Sequence, residues 1–434
     1  MALDLPLDPS LHRQMAEAKL GLGDELGSLA HLIAAQTLEA HAAGAGSALG
    51  LCNVATGYFM KGDHETAARW YRLVLTIDPE LAIAHQNLAA IHMDAGRSEE
   101  AAACRQRAYR RQRVFIENAG AALRRVLILC VGGSSGNVPV ETLLPTANCS
   151  RIKYVIDYAA EEEDGQLPPY DLVFNAIGEA DVAAPLADRL ERFAARCGRP
   201  LLNPPRAVAG TRRHLLAALL NDLEGVAVAP CLRLERPPAS RAALAECLAR
   251  AGMALPLLSR PAASHGGREL VRCDGLEALD ERLRAADGSH YLTEFHDYRS
   301  ADGYYRKYRI IFVDREPFPY HLAISSHWMV HYFSSGMSDR PEWLAEERRF
   351  LQDPRAALGE RAMAAVAAIG RRLDLDYGGI DFAPLPDGRL LVFEANATML
   401  IHFERGDGPL AHKNVQVQRI VAAFERLQAL RTAA

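Results

Sequence analysis

The sequence lacks the features typical of disulfide-rich, zinc-binding, nucleic-acid-binding, membrane-spanning and secreted proteins. Its eight cysteines include no C-x-x-C pair, so reduced thiols are expected rather than a zinc site or a disulfide framework. With 49 basic and 54 acidic residues the net charge is only −5, which gives no general attraction to nucleic acid or to an anionic membrane. No uncharged apolar run reaches spanning length, and the first residues are acidic where a secretory leader is basic. We therefore expect a cytoplasmic protein with neither nucleic acid nor membrane as a partner.

The composition is that of a large globular protein. Hydrophobic residues make up 49% of the 434 residues and charged residues 24%, which is enough for roughly two to four domains with a substantial core. Helical periodicity dominates the first part of the chain, and short apolar runs typical of buried strands begin at Arg125. A change of fold class at that point is therefore expected.

One internal repeat, of 34 residues, is visible between residues 48 and 113. Small residues recur at this spacing where paired helices must approach closely, as Ala55 and Ala89, Gly62 and Gly96, and Ala67 and Ala101. The pattern resembles the tetratricopeptide repeat, and the Ala/Leu-rich segment 11–47 is expected to add a degenerate helix pair or a cap. The resemblance implies a concave face that binds a peptide or protein segment. Dimerisation, or support of the next domain alone, remains the alternative.

An α/β arrangement is predicted for the next part of the chain. Apolar runs at 126–131, 170–177 and 200–203 alternate with a helical stretch at 185–197, and this alternation is typical of a parallel, doubly wound sheet. The loop 132–136, Gly-Gly-Ser-Ser-Gly, lacks both G-x-G-x-x-G and the Lys-Ser/Thr of a P-loop. A tight turn at the edge of the sheet is therefore expected there.

Cations recur along the second half of the chain. A helix led in by prolines is predicted for 203–220, with Arg212 and Arg213 near its front, and Arg260 lies on a strand followed by a loop of small residues. A later strand carries Lys307 and Arg309, which point to the same face because they are two residues apart.

An acidic hairpin is predicted near the C-terminus. Two β-like runs, Tyr377–Pro384 and Leu390–Met399, flank the turn Pro386-Asp-Gly-Arg389, so Asp381 should lie opposite Glu394 and Asn396. Hard oxygen donors on strands suit Mg²⁺, which binds through a few carboxylates together with the phosphates of a nucleotide. A solvated acidic hairpin is the alternative.

In order and type, the elements from about Arg125 to Arg431 resemble the ATP-grasp superfamily, the fold of D-alanine–D-alanine ligase, glutathione synthetase and RimK-type peptide ligases. The resemblance implies a multidomain α plus α/β protein. Its expected parts are a tetratricopeptide-like helical domain at 1–118, an α/β pre-grasp domain at 124–205, and a two-lobed α+β ATP-grasp domain at 206–434, with a small lobe at about 225–295 and a large lobe at about 296–434.

The resemblance also implies a role in nucleotide binding for several residues. Arg260, and either Arg213 or Arg212, stand where the family usually has two phosphate-binding lysines; arginine keeps the charge and adds bidentate geometry. The glycine-rich loop that covers the phosphates would contain Ser264, Gly266 and Gly267. The strand around Glu294 is placed like the segment that meets adenine, and the ribose hydroxyls would be bound by Asp302 or Asp297.

Catalytic and metal-binding roles follow from the same resemblance. Arg309, with Lys307 beside it, aligns with the arginine that stabilises the transferred phosphate. Asp381, Glu394 and Asn396 align with the ligands of Mg²⁺, for which Mn²⁺ could substitute. The His- and aromatic-rich segment 319–333, which contains His327 and His331, is expected on the acceptor side of the cleft, and His402 is a further candidate for contact with the substrate or the lid.

The implied activity is that of an ATP- and Mg²⁺-dependent carboxylate–amine ligase. Such an enzyme releases ADP and forms an amide or peptide bond through an acyl-phosphate. The expected substrate is a peptide, carrier protein or amino acid recruited by the helical repeats. One alternative is an adaptor whose grasp module is degenerate, and another is a small-molecule ligase whose repeats only form oligomers, such as a homodimer.

Overall fold

The computed structural model describes residues 5–118, 124–133, 135–262, 267, 269–286 and 288–433. The chain divides into two compact units. The first comprises Met1–Phe115, Gly132–Ser135 and Val155–Ala160, and the second comprises Ile116–Val131, Gly136–Tyr154 and Glu161–Ala434. Among the described residues, no helix combines the length and the apolar content needed to cross a membrane.

Six helices form most of the first unit and pack as consecutive pairs. Their core contains small residues of successive helices together with Trp70 and Tyr71. Gly62 and Gly96 lie two residues beyond the ends of the third and fifth helices with φ of 80° and 72°, a conformation that glycine adopts without strain. The helices predicted within 11–47 are present, and the resemblance to a tetratricopeptide repeat stays a prediction. The helices are α1 (Pro9–Gly21), α2 (Glu25–Ala42), α3 (Leu49–Met60), α4 (His64–Ile77), α5 (Ala82–Asp94) and α6 (Ser98–Arg111).

A five-stranded sheet follows, in the order β1-β3-β2-β4-β5. Parallel pairing of β2 with β4, and of β4 with β5, confirms the predicted parallel arrangement. The sequence pattern does not indicate strand β3, because Arg151 and Lys153 interrupt its apolar run. Both cations form ion pairs with Glu117. The elements are β1 (Val114–Glu117), β2 (Arg124–Cys130), β3 (Cys149–Val155), β4 (Leu172–Asn175), β5 (Leu201–Leu202), α7 (Val140–Leu143), α8 (Ala180–Ala183) and α9 (Ala187–Arg196).

The prediction of a single helix over 203–220 was wrong, because the segment forms two helices. They are α10 (Pro205–Gly210) and α11 (Arg213–Leu220). The hydroxyl of Thr211 donates to the carbonyl of Val208 at 2.7 Å, and this bond from a side chain to the backbone accompanies the end of α10. The break makes Arg213 the first residue of α11.

Two further sheets form the rest of the second unit. The small sheet has the order β7-β10-β8-β9 and the large sheet the order β12-β11-β13-β14-β6. Strand β6 falls within the range predicted for the small lobe but pairs in parallel with β14 of the large sheet. The small-sheet elements are β7 (Cys231–Leu234), β8 (Leu257–Pro261), β9 (Val271–Cys273), β10 (His290–Glu294), α12 (Arg241–Arg250) and α13 (Leu276–Arg284). Those of the large sheet are β6 (Val226–Val228), β11 (Tyr305–Val313), β12 (Glu316–Ser325), β13 (Tyr377–Pro384), β14 (Leu390–Asn396), α14 (Pro341–Gln352), α15 (Pro354–Leu358), α16 (Glu360–Leu373) and α17 (Asn414–Ala433).

The predicted hairpin is confirmed, with one correction: Asn396 lies opposite Gly379 and not opposite Asp381, because antiparallel strands run in opposite directions from the Asp381–Glu394 pair. Strands β13 and β14 are antiparallel, with Asp381 opposite Glu394, and Arg309 on β11 lies opposite Asp381 on its other side. Gly379 lets β13 approach β11 closely, since a Cβ added there would lie 2.6 Å from the carbonyl oxygen of Ile310. The large sheet therefore carries a basic and two acidic side chains on adjacent strands.

Candidate active site

A cavity of about 380 Å³ is lined by residues of the small sheet, the large sheet and α11. Its volume falls within the range of small-molecule and cofactor sites. One part of the lining is apolar, with Leu216, Val228, Leu258, Leu391 and Phe393. The other part is ionic, with the side chains of Arg213, Arg260, Lys307, Arg309, Asp381 and Glu394. The cavity thus offers apolar walls for a ring system beside a charged end.

Asp381 is held by two cations of β11. Nε of Arg309 donates to Oδ1 of Asp381 at 2.6 Å and Nη2 donates to Oδ2 at 2.8 Å, while Nζ of Lys307 lies 3.2 Å from Oδ2. The side chain of Asp381 is 2% exposed. Burial alone would raise the pKa of Asp381, but Arg309 and Lys307 outweigh burial and hold that pKa well below its ordinary value. The carboxylate is therefore ionised at neutral pH.

Glu394 is paired from the α11 side of the cavity. Nη2 of Arg213 donates to Oε2 of Glu394 at 2.6 Å. Burial favours the neutral acid, yet Arg213 and, less strongly, Arg260 lower the pKa of Glu394. Burial and then the Arg213 guanidinium lower the pKa of Arg260 to about 10, so Arg260 stays charged at neutral pH. The ionic end therefore holds charged groups of both signs at close range.

Asn396, the third predicted metal ligand, faces a local turn. Its Oδ1 accepts hydrogen bonds from the backbone N–H of Thr398 at 2.6 Å and from the Thr398 hydroxyl at 2.5 Å. An amide oxygen has two lone pairs, and both are used by these bonds. The structure therefore directs two carboxylates, Asp381 and Glu394, toward the cavity, and a metal-binding role for Asn396 stays a prediction.

Only some of the other predicted nucleotide-binding residues line the cavity. Gly267 and Glu294 line it, although Oε1 of Glu294 accepts from the backbone N–H of Ala254 at 2.6 Å. Arg212 is not among the lining residues. Asp302 is also away from the lining; it forms a bidentate pair with Arg306 at 2.9 and 2.7 Å. Ser264 and Gly266 lie outside the described residues.

Several lining residues were not singled out from the sequence. Tyr298 lines the cavity and its hydroxyl donates to the carbonyl of Trp328 at 2.5 Å. The Trp328 ring lies edge-on to Phe295, with ring centres 5.5 Å apart. Tyr298 lies four residues after Glu294, where β10 ends, and Trp328 lies in the aromatic-rich segment, so only their proximity in sequence to predicted residues could have indicated them.

Comparisons with known proteins bear on the fold alone. Neither a protein-family model nor a curated protein matches this chain. Many solved structures are similar to it, and three of them show the level of likeness. An ATP-grasp RimK domain protein from Sphaerobacter thermophilus has 15% identity, covers 69% of this chain and 98% of its own, and has a TM-score of 0.42. D-alanine–D-alanine ligase from Bacillus anthracis, complexed with ATP, has 14% identity, covers 71% of this chain and 99% of its own, and has a TM-score of 0.42. D-alanyl-alanine synthetase A from Vibrio cholerae has 12% identity, covers 73% of this chain and 100% of its own, and has a TM-score of 0.44.

Likeness at this level assigns neither a family nor an activity to the chain. The chemistry of the site has to follow from its own side chains.

The two carboxylates fit a hard divalent cation, because Mg²⁺ is commonly bound through one or two carboxylates together with waters and phosphates. A self-sufficient metal cage is not found: the described part of the chain contains no cluster of three or more His, Cys, Asp or Glu side chains placed to hold a metal ion. The donor set therefore suits a metal that a phosphate ligand helps to bind.

The three candidate histidines lie in different surroundings. His331 lines the cavity, and burial, followed by Lys307 and Arg309, lowers its pKa. His327 is not part of the lining, and its Nδ1 accepts from the backbone N–H of Met329 at 3.2 Å. His402 is held between the Tyr320 hydroxyl at 3.2 Å and Glu404 at 3.1 Å. Of the three, His331 is the one positioned to act on a ligand in the cavity.

Proposed function

We propose that this protein is an ATP- and Mg²⁺-dependent ligase that joins a carboxylate to an amine and releases ADP. The observation that carries the proposal is the pairing, within one cavity, of two ionised carboxylates on facing strands with four cations. Transfer of a phosphoryl group needs both a metal and fixed cations to balance its charge. The solvated hairpin considered from the sequence does not account for a carboxylate that is 2% exposed.

The charge of the ionic end suits a nucleoside triphosphate. Four cations and the carboxylates of Asp381, Glu394 and Glu294 line the cavity, and this excess of positive charge favours an anionic ligand such as a nucleoside triphosphate with bound Mg²⁺. The apolar walls formed by Leu216, Val228 and Leu258 would receive the base. Arg213 and Arg260 would bind phosphate oxygens, a task for which the planar guanidinium is well suited.

Asp381 and Glu394 would hold the Mg²⁺, which neutralises and polarises phosphate oxygens when it is bound. Arg309 and Lys307 would donate hydrogen bonds to the phosphoryl group as an oxygen of the substrate carboxylate attacks phosphorus and ADP leaves. The amine would then attack the acyl carbon, and the carbon–oxygen bond to phosphate would break. His331 would accept the proton lost by the amine, since its lowered pKa keeps it neutral at pH 7.

Water has to be excluded while the acyl-phosphate exists. Trp328 lines the cavity and is contacted by two other lining residues, through the Tyr298 hydroxyl and the Phe295 ring. These contacts would cover the reacting groups and favour transfer to an amine over hydrolysis.

Release of ADP from Mg-ATP, measured against pools of amino acids and peptides, tests the proposal. Glu394→Ala should abolish release, because one of the two carboxylates is lost, whereas Glu224→Ala removes an exposed carboxylate and should leave the rate unchanged. Hydroxylamine, which traps acyl-phosphates as hydroxamates, should give a hydroxamate only with an active protein. ADP release that survives Glu394→Ala would contradict the proposal.

A nucleotide-binding module without catalysis is the second candidate. The direct pairing of Arg213 with Glu394, at a position where the resembling family has lysine, favours it. Binding of Mg-ADP with no turnover of any pool would decide for this candidate.

We also propose that the helical domain at 1–118 recruits a peptide or carrier protein whose carboxylate enters the cavity. Holding the substrate would raise its effective concentration. A peptide substrate should then have a KM at least about ten-fold below that of its C-terminal amino acid alone; equal KM values would leave the helices without this role.

A further inference from the structure

We infer that the cations of this cavity make the binding of a divalent metal conditional on nucleotide, with Arg213 acting as the residue that blocks Glu394. The inference rests on the proposed function and concerns the order in which that site is filled. It is carried by the hydrogen bonds to the two carboxylates, by their burial, and by the excess of positive charge around them.

Both oxygens of Asp381 are already engaged. The guanidinium of Arg309 bonds Oδ1 and Oδ2 in a bidentate arrangement, and Lys307 adds a third contact at 3.2 Å. Bidentate guanidinium–carboxylate pairs are among the stronger hydrogen-bonded contacts in proteins. A metal ion that approaches Asp381 must therefore displace at least one of these donors.

Glu394 is blocked from the other side. Its Oε2 receives Nη2 of Arg213 at 2.6 Å, and the two side chains are only 21% and 20% exposed. Solvent therefore screens the pair weakly. A free metal ion would enter a space whose four cations already outnumber its three carboxylates, those of Asp381, Glu394 and Glu294, so its charge would add to an existing repulsion.

A nucleotide reverses this balance. Its phosphates supply acceptors with the geometry that guanidinium groups bind best, so Arg213 and Arg309 can exchange a carboxylate partner for a phosphate partner. The exchange frees carboxylate oxygens for the metal, and the phosphates add negative charge and further oxygen ligands. Metal and nucleotide should consequently favour each other's binding by the same factor.

The test uses the full-length protein and Mn²⁺, whose free concentration is read from its electron paramagnetic resonance signal. Mn²⁺ alone should bind at least about ten-fold more weakly than Mn²⁺ in the presence of saturating ADP. Arg213→Ala should tighten the binding of Mn²⁺ alone by about ten-fold or more, because Glu394 loses its partner. Arg213→Lys should fall between the two proteins, since lysine keeps the charge but not the planar fork.

Arg241→Ala is the matched control, because it removes another arginine that pairs with a glutamate, Glu277, at 3.0 Å on an exposed surface. It should leave both Mn²⁺ affinities unchanged, and circular dichroism should show that all variants are folded. Equal affinity of the wild-type protein for Mn²⁺ with and without ADP would overturn the inference while the proposed function stands. An Arg213→Ala protein that binds Mn²⁺ alone no better than wild type would overturn the blocking role of Arg213. Failure of ADP itself to bind would reject the proposed function and this inference together.

Discussion

Replacing Asp381 by asparagine should strongly destabilise the second unit, for reasons independent of catalysis. The Asp381 side chain is 2% exposed, and Arg309 and Lys307, which contact it, are 19% and 18% exposed. Asparagine keeps the shape but removes the negative charge, so two poorly solvated cations would face each other without a counterion. Breaking a buried ion pair by removing one partner costs about 3–5 kcal/mol, and the free energy of unfolding should fall by about that amount.

Urea denaturation at pH 7, followed by circular dichroism, measures the change. Asp387→Asn is the matched control: Asp387 also pairs with an arginine, Arg389, at 2.7 Å, but both side chains are half exposed. The Asp387→Asn substitution should change the urea midpoint little, because an exposed ion pair contributes little to stability. Adding Arg309→Gln to Asp381→Asn should recover part of the loss, because one of the uncompensated cations is then removed. If Asp381→Asn unfolds at the same urea concentration as Asp387→Asn, the buried pairing described above is incorrect.

Three further outcomes are expected. Asp381 and Glu394 have folded-state pKa values below their ordinary ones, so they stabilise the fold above pH 4.5 and lose that contribution as pH falls from about 4.5 toward 2; a urea midpoint that rises on acidification would contradict this sign. Gly379→Ala should cost about 1–3 kcal/mol of stability, because the added Cβ would lie 2.6 Å from the Ile310 carbonyl oxygen, and a chemical denaturation curve that matches wild type would refute it. Tyr298→Phe removes the bond to the Trp328 carbonyl and should increase ADP release that is not accompanied by product, measured as the ratio of ADP to hydroxamate; an unchanged ratio would count against the covering role.

The acidic hairpin could be predicted from the sequence because its information is local. Alternating residues, a Pro-Asp-Gly-Arg turn and the two-residue period of a strand are sufficient to place Asp381 opposite Glu394. The cations on β11 followed from the same period. What the alternation could not reveal is that Arg309 and Asp381 are direct cross-strand partners, since that pairing joins residues far apart in the chain.

Other parts of the site depend on contacts that no local pattern contains. The choice between Arg212 and Arg213 required the helix break at Thr211, which sets where α11 begins. The turn that occupies the Asn396 oxygen is formed by Thr398, two residues further along. Asp302 forms an ion pair with Arg306, and Arg306 would compete with any ligand for the Asp302 carboxylate. Each of these outcomes follows from a specific partner rather than from residue type.

The fold shows the same limit. Strand β6 is only three residues long and joins the large sheet through β14, which lies more than 160 residues later in the chain. The aromatic-rich pattern of 319–333 does not indicate strand β12, because Pro317 and Pro319 interrupt the alternation of that strand. Long-range pairing decides both cases.

The most direct test of the central claim follows oxygen from the substrate carboxylate into phosphate. A pool of amino acids and peptides labelled with ¹⁸O in their carboxylates is incubated with the protein, Mg-ATP and hydroxylamine, and the released phosphate is analysed by mass spectrometry. Attack of a carboxylate oxygen on the terminal phosphate, followed by loss of phosphate from the acyl group, predicts phosphate that carries one ¹⁸O atom. Release of unlabelled phosphate alone would mean that water is the acceptor, and the ligase account would be contradicted.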